Sequence, residues 1–450
     1  MPWVTDSNAA LLTDLYELTM AASYHRHGMN GQATFDLFVR DLPRRRNFMV
    51  AAGLDQALDY LLSLRFDDES LDYLASLGFF SDDFLGYLAG FRFSGDVWAI
   101  PEGDLVFETE PLISVTAPLI EAQVVETFLL NCLTFQTMIA SKAARVKLAS
   151  GERTFLDFSL RRDHGADAGL KAARAAYIAG AAATSNVLAG KEFGIPVSGT
   201  MAHSYVMAFD TEIEAFRAYV SDFPERAILL IDTFDVEQGA RRAVQVAEEI
   251  AIEGLKLNGV RIDSGDFDAL SRSVRKILDD AGLHDVKIVL SGDLDEYRIK
   301  QLLDDQVPVD SFGVGTQMGT SADSPYLGGV YKLVWDAETG PKVKLSTGKV
   351  TLPGRKQVHR FMRDGKYERD VMSLNKEEVD ESTPILQKFM MQGERIIGPE
   401  GLDAKRDRFL ESMTRLPDYA KVLGEPEKRY PVELSPDLES LAARARATHR

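Results

Sequence analysis

From residue 154 onward the chain repeats one structural unit. Short runs rich in β-branched residues, at 154–159, 195–200, 227–232, 257–263, 286–291 and 309–315, each end in small or polar residues. After a first gap of about 40 residues they recur roughly every 25 to 30, with amphipathic stretches at 210–220, 236–252, 267–281 and 293–304 between them. Strand-like runs alternating with helices of that length predict βα units and a parallel sheet, open or closed. Six successive units with no dinucleotide fingerprint at their centre favour a barrel.

The remainder frames this block. Ile120, Val124, Phe128, Cys132, Phe135 and Ile139 fall at steps of three and four, the buried stripe of one or two helices over 118–148. Residues 1–117 read as mixed: a helix at 10–27, an alternating strand at 34–39, and strand runs at 105–108 and 112–116. After Trp335 the composition shifts to Lys and Gly, with strand runs at 342–345 and 358–362 and a terminal helix in the polar tail from Pro431. The expected organisation is an N-terminal mixed region, 1–117, a barrel-like α/β domain, 118–335, and a C-terminal region, 336–450, packing on the N-terminal part.

Bulk properties narrow the function. With 51 basic against 69 acidic residues the net charge is −18, which repels polyphosphate backbones at long range and argues against nucleic-acid binding. A small anionic substrate stays compatible, because a local cationic pocket outweighs a distant surface field. The single cysteine, Cys132, excludes an intramolecular disulfide and a zinc site built on several thiolates. The most apolar stretch, 172–190, contains Arg174, Thr184, Ser185 and Asn186 and does not read as a membrane span. Asp6, Asp14 and Glu17, without a basic cap and apolar run, give no targeting signal, so a cytoplasmic protein is expected.

Chemistry collects where each central run ends. Asp157, Phe158, Arg161 and Arg162 close the first, and Gly199, Thr200 and His203 the second. Asp232, Thr233 and Asp235 close the third, and Arg261, Asp263, Ser264, Gly265 and Asp266 the fourth. Ser291, Gly292 and Asp293 follow the fifth, and Gly313, Gly315 and Thr316 the sixth. In parallel βα architectures these loops converge on one mouth, so the six clusters predict a ligand site there. Taken singly, each has a plainer reading: Asp266 and Asp293 as helix N-caps, Arg161 and Arg162 as surface cations, the glycines as a tight turn.

Gly-Val-Gly-Thr-Gln-Met-Gly (313–319) misses the dinucleotide spacing by one residue, yet its glycines let backbone amides approach a phosphate, and Thr316 adds a hydroxyl. No P-loop occurs. His203, in Gly-Thr-Met-Ala-His-Ser, is placed to act as nucleophile or general base. His164, beside Asp163, is expected near the mouth, while His25, His27, His284, His359 and His449 have no second chemical group nearby in the sequence. Without clustered histidines a zinc site is not expected, whereas Asp232, Asp235, Asp263 and Asp266 can hold Mg2+ through water and substrate phosphates. Ser264 lacks the glycine pattern of a nucleophile elbow.

Together these residues resemble one family, the nicotinate phosphoribosyltransferases. The segments that carry the resemblance are Leu-Leu-Thr-Asp-Leu-Tyr-Glu-Leu-Thr-Met (11–20), Ser-Asn-Val-Leu-Ala-Gly (185–190), Gly-Thr-Met-Ala-His-Ser (199–204) and Val-Arg-Ile-Asp-Ser-Gly-Asp (260–266). Gly-Val-Gly-Thr (313–316), Val-Tyr-Lys-Leu-Val (330–334) and Tyr-Pro-Val-Glu-Leu-Ser (430–435) extend it over nearly the whole chain. The resemblance implies a barrel-like α/β catalytic domain of the type II phosphoribosyltransferase kind, flanked by a mixed α+β region. It implies transfer of a 5-phosphoribosyl group from 5-phosphoribosyl 1-diphosphate to nicotinate, coupled to hydrolysis of ATP through a phosphohistidine and aided by Mg2+.

The same resemblance assigns residues. His203 matches the phosphorylated histidine, and Asp232 lies near Mg2+. Arg161 is expected to grip the nicotinate carboxylate, with the pyridine ring between Phe158 and a partner subunit's copy of Tyr16. Thr200 belongs to the substrate pocket, and Arg261 and Asp263 hold the ribose or its phosphate region. Gly292, Asp293, Gly313, Gly315 and Thr316 seat ribose hydroxyls and the 5-phosphate, and Arg40 reaches pyrophosphate from the neighbouring subunit of a homodimer. Related nicotinamide-using enzymes place an acid near 184–186, where this chain has Thr184, Ser185 and Asn186, which favours nicotinate. A sugar-phosphate isomerase or aldolase would want a Lys or Glu base at a strand end, and none stands there. A non-catalytic phosphate-binding homologue would keep the glycines without the chemistry of His203. The adjacent-acid diphosphate motif of the other transferase fold is half present, since Thr233 follows Asp232.

Overall fold

The computed structural model describes residues 4–345 and 351–448; His449 lies outside them. The chain forms two compact units, Met1–Ser141 with Tyr326–Arg450, and Lys142–Pro325. The first boundary falls inside the 25-residue helix Glu126–Ser150, which follows the short helix Leu119–Val124.

The unit built from both chain ends holds a seven-stranded sheet in the order Gly340–Pro341, Gly329–Asp336, Gln32–Val39, Pro111–Pro118, Asp96–Ala99, Gln387–Met391 and Glu394–Arg395. Gln32–Val39 is buried along seven of its eight residues because it pairs antiparallel on both sides, with Leu37 opposite Ile113 and Tyr331. Phe35 stacks on Tyr331 with centroids 4.9 Å apart. A four-stranded sheet, in the order Thr383–Pro384, Lys356–Arg363, Lys366–Leu374 and Val432–Leu434, and the terminal helix Pro436–Thr448 complete it. Residues 342–345, expected as a strand, form none. Past the two-residue ladder Gly340–Pro341, one backbone bond from Lys342 to Val334 continues the pairing among the described residues.

The Lys142–Pro325 unit contains the repeated βα block. Five parallel strands lie in the order Thr154–Asp157, Ser311–Val314, Lys287–Ser291, Gly259–Ile262 and Ile228–Leu230. Ile228–Leu230, Gly259–Ile262, Lys287–Ser291 and Ser311–Val314 read as near-continuous apolar runs because a parallel sheet is covered on both faces. Their helices bury one stripe each: Phe267, Ser271, Val274 and Leu278 recur at steps of four, three and four. The starts are set by local side-chain chemistry. Asp235, Asp266 and Asp295 each accept amide hydrogens of the first turn, and Thr211 with Glu214 forms a capping box.

The run at 195–200 differs from expectation. It contributes single bridges in place of a strand, Val197 to Thr184 and Thr184 to Asp157. Pro196 has no N–H to offer a ladder, and two bonds remain, Thr184 N to Pro196 O and Ser198 N to Thr184 O, both 3.0 Å. The parallel series therefore runs from Val197 to Ile228–Leu230, and among the described residues no ladder joins its two ends. No described helix is long and apolar enough to cross a membrane.

Candidate functional site

The C-terminal ends of the parallel strands surround a cavity of about 690 Å³, lined wholly by residues of the Lys142–Pro325 unit. Eleven of the fourteen residues expected at the site line it: Phe158, Arg161, Thr200, His203, Arg261, Asp263, Gly292, Asp293, Gly313, Gly315 and Thr316. They come from loops following five different strand positions, which is the convergence that parallel βα topology produces.

His203 opens the short helix His203–Met207. Its Nδ1 lies 3.1 Å from the Thr233 hydroxyl and its Nε2 3.9 Å from Asp263 Oδ2. One ring nitrogen is thereby tied to a hydroxyl while the other faces a carboxylate across the cavity wall, with the imidazole 39% exposed and open to attack on a ligand. Asp263 is fixed on both sides: its Oδ1 accepts the Ser291 hydroxyl, and its backbone N–H donates to Asp232 Oδ2 at 2.9 Å. Asp232 also accepts from the Ser264 hydroxyl at 2.8 Å. Arg261 donates to the Met201 carbonyl at 3.0 Å. Burial pulls its guanidinium below the ordinary arginine range, against the nearby carboxylates of Asp263 and Asp232. Its buried Nε has no hydrogen-bond partner, which leaves a cationic donor for a ligand oxygen.

The glycines serve close packing as well as ligand access. A Cβ on Gly313 would stand 2.5 Å from the Phe158 ring, and one on Gly315 would stand 3.0 Å from the Phe158 carbonyl. Glycine there lets the aromatic ring lie against the strand end. Gly319, the third of the cluster, backs onto Ser159 and Asp163 and does not line the cavity. Gly292, at φ +100°, has no room for a side chain against the Asp263 carbonyl, and Asp293 follows at φ +46°. This turn aims Asp293 into the cavity mouth, while the helix after it is capped by Asp295.

Three expected residues do not line the cavity. Asp232 stands behind Asp263 and acts on the wall through it. Tyr16, in the helix Leu15–Arg26, and Arg40, after the strand Gln32–Val39, belong to the other unit. Tyr16 is 46% exposed, and its hydroxyl is raised above the usual phenol range by burial and by Glu126 and Glu17. Arg40 is half-buried, its Nε without a hydrogen-bond partner.

Of the four acids considered for Mg2+, Asp235 and Asp266 are spent as N-caps. Asp232 and Asp263 remain, and Asp232 Oδ1 is buried with no hydrogen-bond partner. Among the described residues no cluster of three or more His, Cys, Asp or Glu is placed to hold a metal. One or two carboxylates with an unused oxygen fit Mg2+, which keeps water and substrate oxygens as its other ligands.

The other described histidines stay outside. His164 does not line the cavity. His25, His284 and His359, without obvious partners along the sequence, pair with Asp83, Asp279 and Ser382 at 2.9–3.1 Å. Of the trio at 184–186, Ser185 alone lines the cavity; Thr184 donates to buried Asp157, and Asn186 caps the helix Val187–Phe193. Sequence reasoning missed the apolar wall of Leu160, Val187, Val197 and Met201, because an aliphatic side chain in a loop carries no chemical signature. Thr233 carried a signal, its place at a strand end beside Asp232, without a role attached to it.

Comparisons with known proteins follow the same division of the chain. Residues 11–134 match the nicotinate phosphoribosyltransferase N-terminal domain, and residues 154–333 match the nicotinate phosphoribosyltransferase family. The chain is 45% identical over 438 residues to a nicotinate phosphoribosyltransferase of Mycobacterium tuberculosis, covering 97% of this chain and 94% of that protein. It is 44% identical over 385 residues to the nicotinate phosphoribosyltransferase of Bacillus subtilis, covering 84% and 78%. Among solved structures it is similar to human nicotinic acid phosphoribosyltransferase, with a TM-score of 0.86 and 30% identity over 96% of this chain and 99% of that one.

Proposed function

Since the chain belongs to the nicotinate phosphoribosyltransferase family, we propose that it transfers the 5-phosphoribosyl group of 5-phosphoribosyl 1-diphosphate to the ring nitrogen of nicotinate. The products are nicotinate mononucleotide, for NAD biosynthesis in the cytoplasm, and pyrophosphate. The observation that carries this reading is the convergence of Phe158, Arg161, Arg261, His203 and the Gly313–Gly315 turn on one cavity.

The chemistry follows from charge. Departure of pyrophosphate leaves an oxocarbenium-like ribose, so the enzyme needs anion clamps and a held nucleophile more than covalent chemistry on the substrate. Arg161 takes the nicotinate carboxylate, for which a planar guanidinium offers two parallel donors. Phe158 stacks on the pyridine ring, and uncharged Ser185 leaves room for the carboxylate without repelling it. Arg261 and Asp263, with the Gly292–Asp293 and Gly313–Thr316 turns, hold the ribose phosphate, and Thr200 closes the wall beside them. Asp232 and Asp263 are the carboxylates that would hold Mg2+, which would supply charge neutralisation for the diphosphate leaving group.

The reading extends to ATP coupling, through phosphorylation of His203. Thr233 on Nδ1 orients the ring, so that hydrolysis is linked to the donor site by a charge placed beside Asp263 and Arg261. It also includes a homodimer in which Tyr16 and Arg40 of one subunit complete the site of the other. The parallel sheet is read as a barrel of the type II phosphoribosyltransferase kind. That is supported by the extension through Thr184 and Val197 and by the Arg261 bond to the Met201 carbonyl.

The test is product formation with 5-phosphoribosyl 1-diphosphate and Mg2+, using nicotinate or nicotinamide, each with and without ATP, in wild type and His203→Ala. Nicotinate mononucleotide from nicotinate alone, accelerated by ATP in the wild type and not in the variant, is the expected result. Product from nicotinamide alone overturns the substrate assignment, and equal ATP stimulation of both proteins overturns the phosphohistidine.

A further inference from the structure

The cavity wall at 158–162 is held from behind by a chain of carboxyl and hydroxyl groups that none of these roles uses. Asp157, at the end of its strand, is buried, and its carboxylate takes three donors. Ser159 N–H reaches Oδ1 at 3.0 Å, the Ser159 hydroxyl reaches Oδ1 at 2.6 Å, and the Thr184 hydroxyl reaches Oδ2 at 2.7 Å. Ser159 Oγ also lies 3.1 Å from Asp163 Oδ2. A serine hydroxyl has one proton, and the shorter contact commits it to Asp157. One of the two carboxyls must then supply a proton of its own, and Asp163 is the one to do so, because Asp157 already accepts the Ser159 N–H and the Thr184 hydroxyl as an ionised carboxylate does.

Asp163 is enclosed to match. Its Oδ1 is buried with no hydrogen-bond partner. A Cβ on Gly319 would collide with that oxygen and with Ser159, and one on Gly169 would stand 3.1 Å from Oδ2. Two backbones, from the helices Ala166–Ile178 and Thr316–Gly319, therefore close on the carboxyl through glycine faces. The titratable groups that act on it are Asp157, which ends the strand leading into this loop and whose own carboxyl is raised by burial, and His164 in the loop itself.

We propose that Asp163, as a protonated carboxyl donating to Ser159 Oγ, is a positioning residue for the part of the cavity wall that carries Phe158 and Arg161. The choice of nicotinate as the ligand this wall grips rests on the functional reading above; the proton arrangement does not. Burial, reinforced by Asp157 and opposed by the Ser159 hydroxyl and His164, pushes Asp163 up to about 6. Above that pH the ionised carboxylate faces the Ser159 oxygen with no donor between them, and the 158–163 loop loses a tie.

The experiment compares wild type, Asp163→Asn and Asp163→Ala from about pH 5 to about pH 8. Asparagine keeps the shape and donates through Nδ2 at every pH, while alanine removes the donor. The wild-type KM for nicotinate is expected to rise several-fold as pH passes about 6. Asp163→Asn keeps the low-pH KM throughout, and Asp163→Ala shows the raised value at every pH. The kcat and the KM for 5-phosphoribosyl 1-diphosphate stay unchanged in both variants. Nicotinate's own ionisation is common to all three proteins and cancels in the comparison.

A second readout needs no substrate. A carboxyl whose folded-state pKa is raised binds its proton more tightly folded than unfolded, so the wild type loses stability relative to Asp163→Asn as pH rises from about 4 to about 6. The Tm gap between them opens in that window and then levels. A constant gap, or parallel nicotinate profiles in wild type and Asp163→Asn, overturns the proposal. So does an equal rise in KM for both substrates in Asp163→Ala. A gap that opens as expected in a protein that does not use nicotinate supports the proton arrangement and overturns the functional reading alone.

Discussion

Replacing Gly313 by alanine tests whether the ring of Phe158 is what the glycine exists to admit. The backbone there is ordinary strand, so the added methyl brings no conformational strain. It brings a collision, 2.5 and 2.6 Å from two ring carbons of Phe158 and 3.2 Å from Ser291 Cβ. Carbon atoms rest at about 3.5 Å or more, so the ring must retreat by about 1 Å. It has somewhere to go, because it borders an open cavity. The stability cost therefore falls at the low end for overpacking, about 1 kcal/mol, or a Tm lowered by about 2–4 °C for a unit of this size. Activity suffers more. A misplacement of about 1 Å in a substrate-positioning group costs on the order of 100-fold in rate. Steady-state kinetics should show kcat/KM for nicotinate falling by about that factor in Gly313→Ala while KM for 5-phosphoribosyl 1-diphosphate changes little. The double variant Phe158→Ala/Gly313→Ala supplies the control, since without the ring the methyl meets nothing of consequence. If Gly313→Ala costs as much in the Phe158→Ala background as in the wild type, the packing argument is refuted.

Three further outcomes are expected. Lys142 is 1% exposed and joins Glu296 at 2.6 Å and Asp323 at 2.8 Å. Lys142→Met should destabilise the protein by about 3 kcal/mol, the low end for a broken buried pair, because Arg145 still holds Glu296 at 2.8 Å; a shift in the urea midpoint worth under about 1 kcal/mol would contradict this. Asp266→Ala should remove a helix cap and cost about 1 kcal/mol with kcat and the Mg2+ dependence unchanged, whereas a changed Mg2+ dependence would mark it as a ligand. Glu17 is fully buried, and burial pushes its carboxyl up to about 7 from 4.5. The folded protein therefore holds that proton more tightly than the unfolded chain, and stability is lost as pH rises between those values. Thermal melts should show Glu17→Gln with a shallower decline from pH 5 to pH 8 than the wild type.

Much of the helical framework could be read in the chain. The stretches expected at 236–252 and 267–281 appear as Val236–Ala251 and Phe267–Asp280, because an apolar stripe at helical spacing and an Asp immediately before it are both local signals. The run at 195–200 could not be read this way. Its β-branched residues suggested a strand, and Pro196 reduced it to bridges whose existence depends on Thr184, a residue outside any predicted strand. The cavity residues were largely legible for a related reason: where βα units repeat, topology sends every strand end to the same side. Tyr16 and Arg40 had no such guide, and their assignment rested on resemblance alone.

The sequence by itself determined which loops carry the chemistry, since strand period, helix period and the polar residues between them are all written within a few positions of one another. Tertiary structure alone decided what each polar residue does there. Asp263 and Asp266 are three residues apart in one motif. One is held at the cavity wall by Ser291 and the Asp232 carboxylate, and the other turns back to cap its own helix. Gly313 and Gly319 share one cluster, yet the first faces an aromatic ring and the second a buried carboxyl. An aspartate after a strand can satisfy an amide or face a ligand, and a glycine can admit a phosphate or a neighbouring side chain. Asp266 finds its partners two and three residues on, whereas the places of Asp263, Gly313 and Gly319 are set by groups more than 25 residues away, brought alongside when the sheet forms.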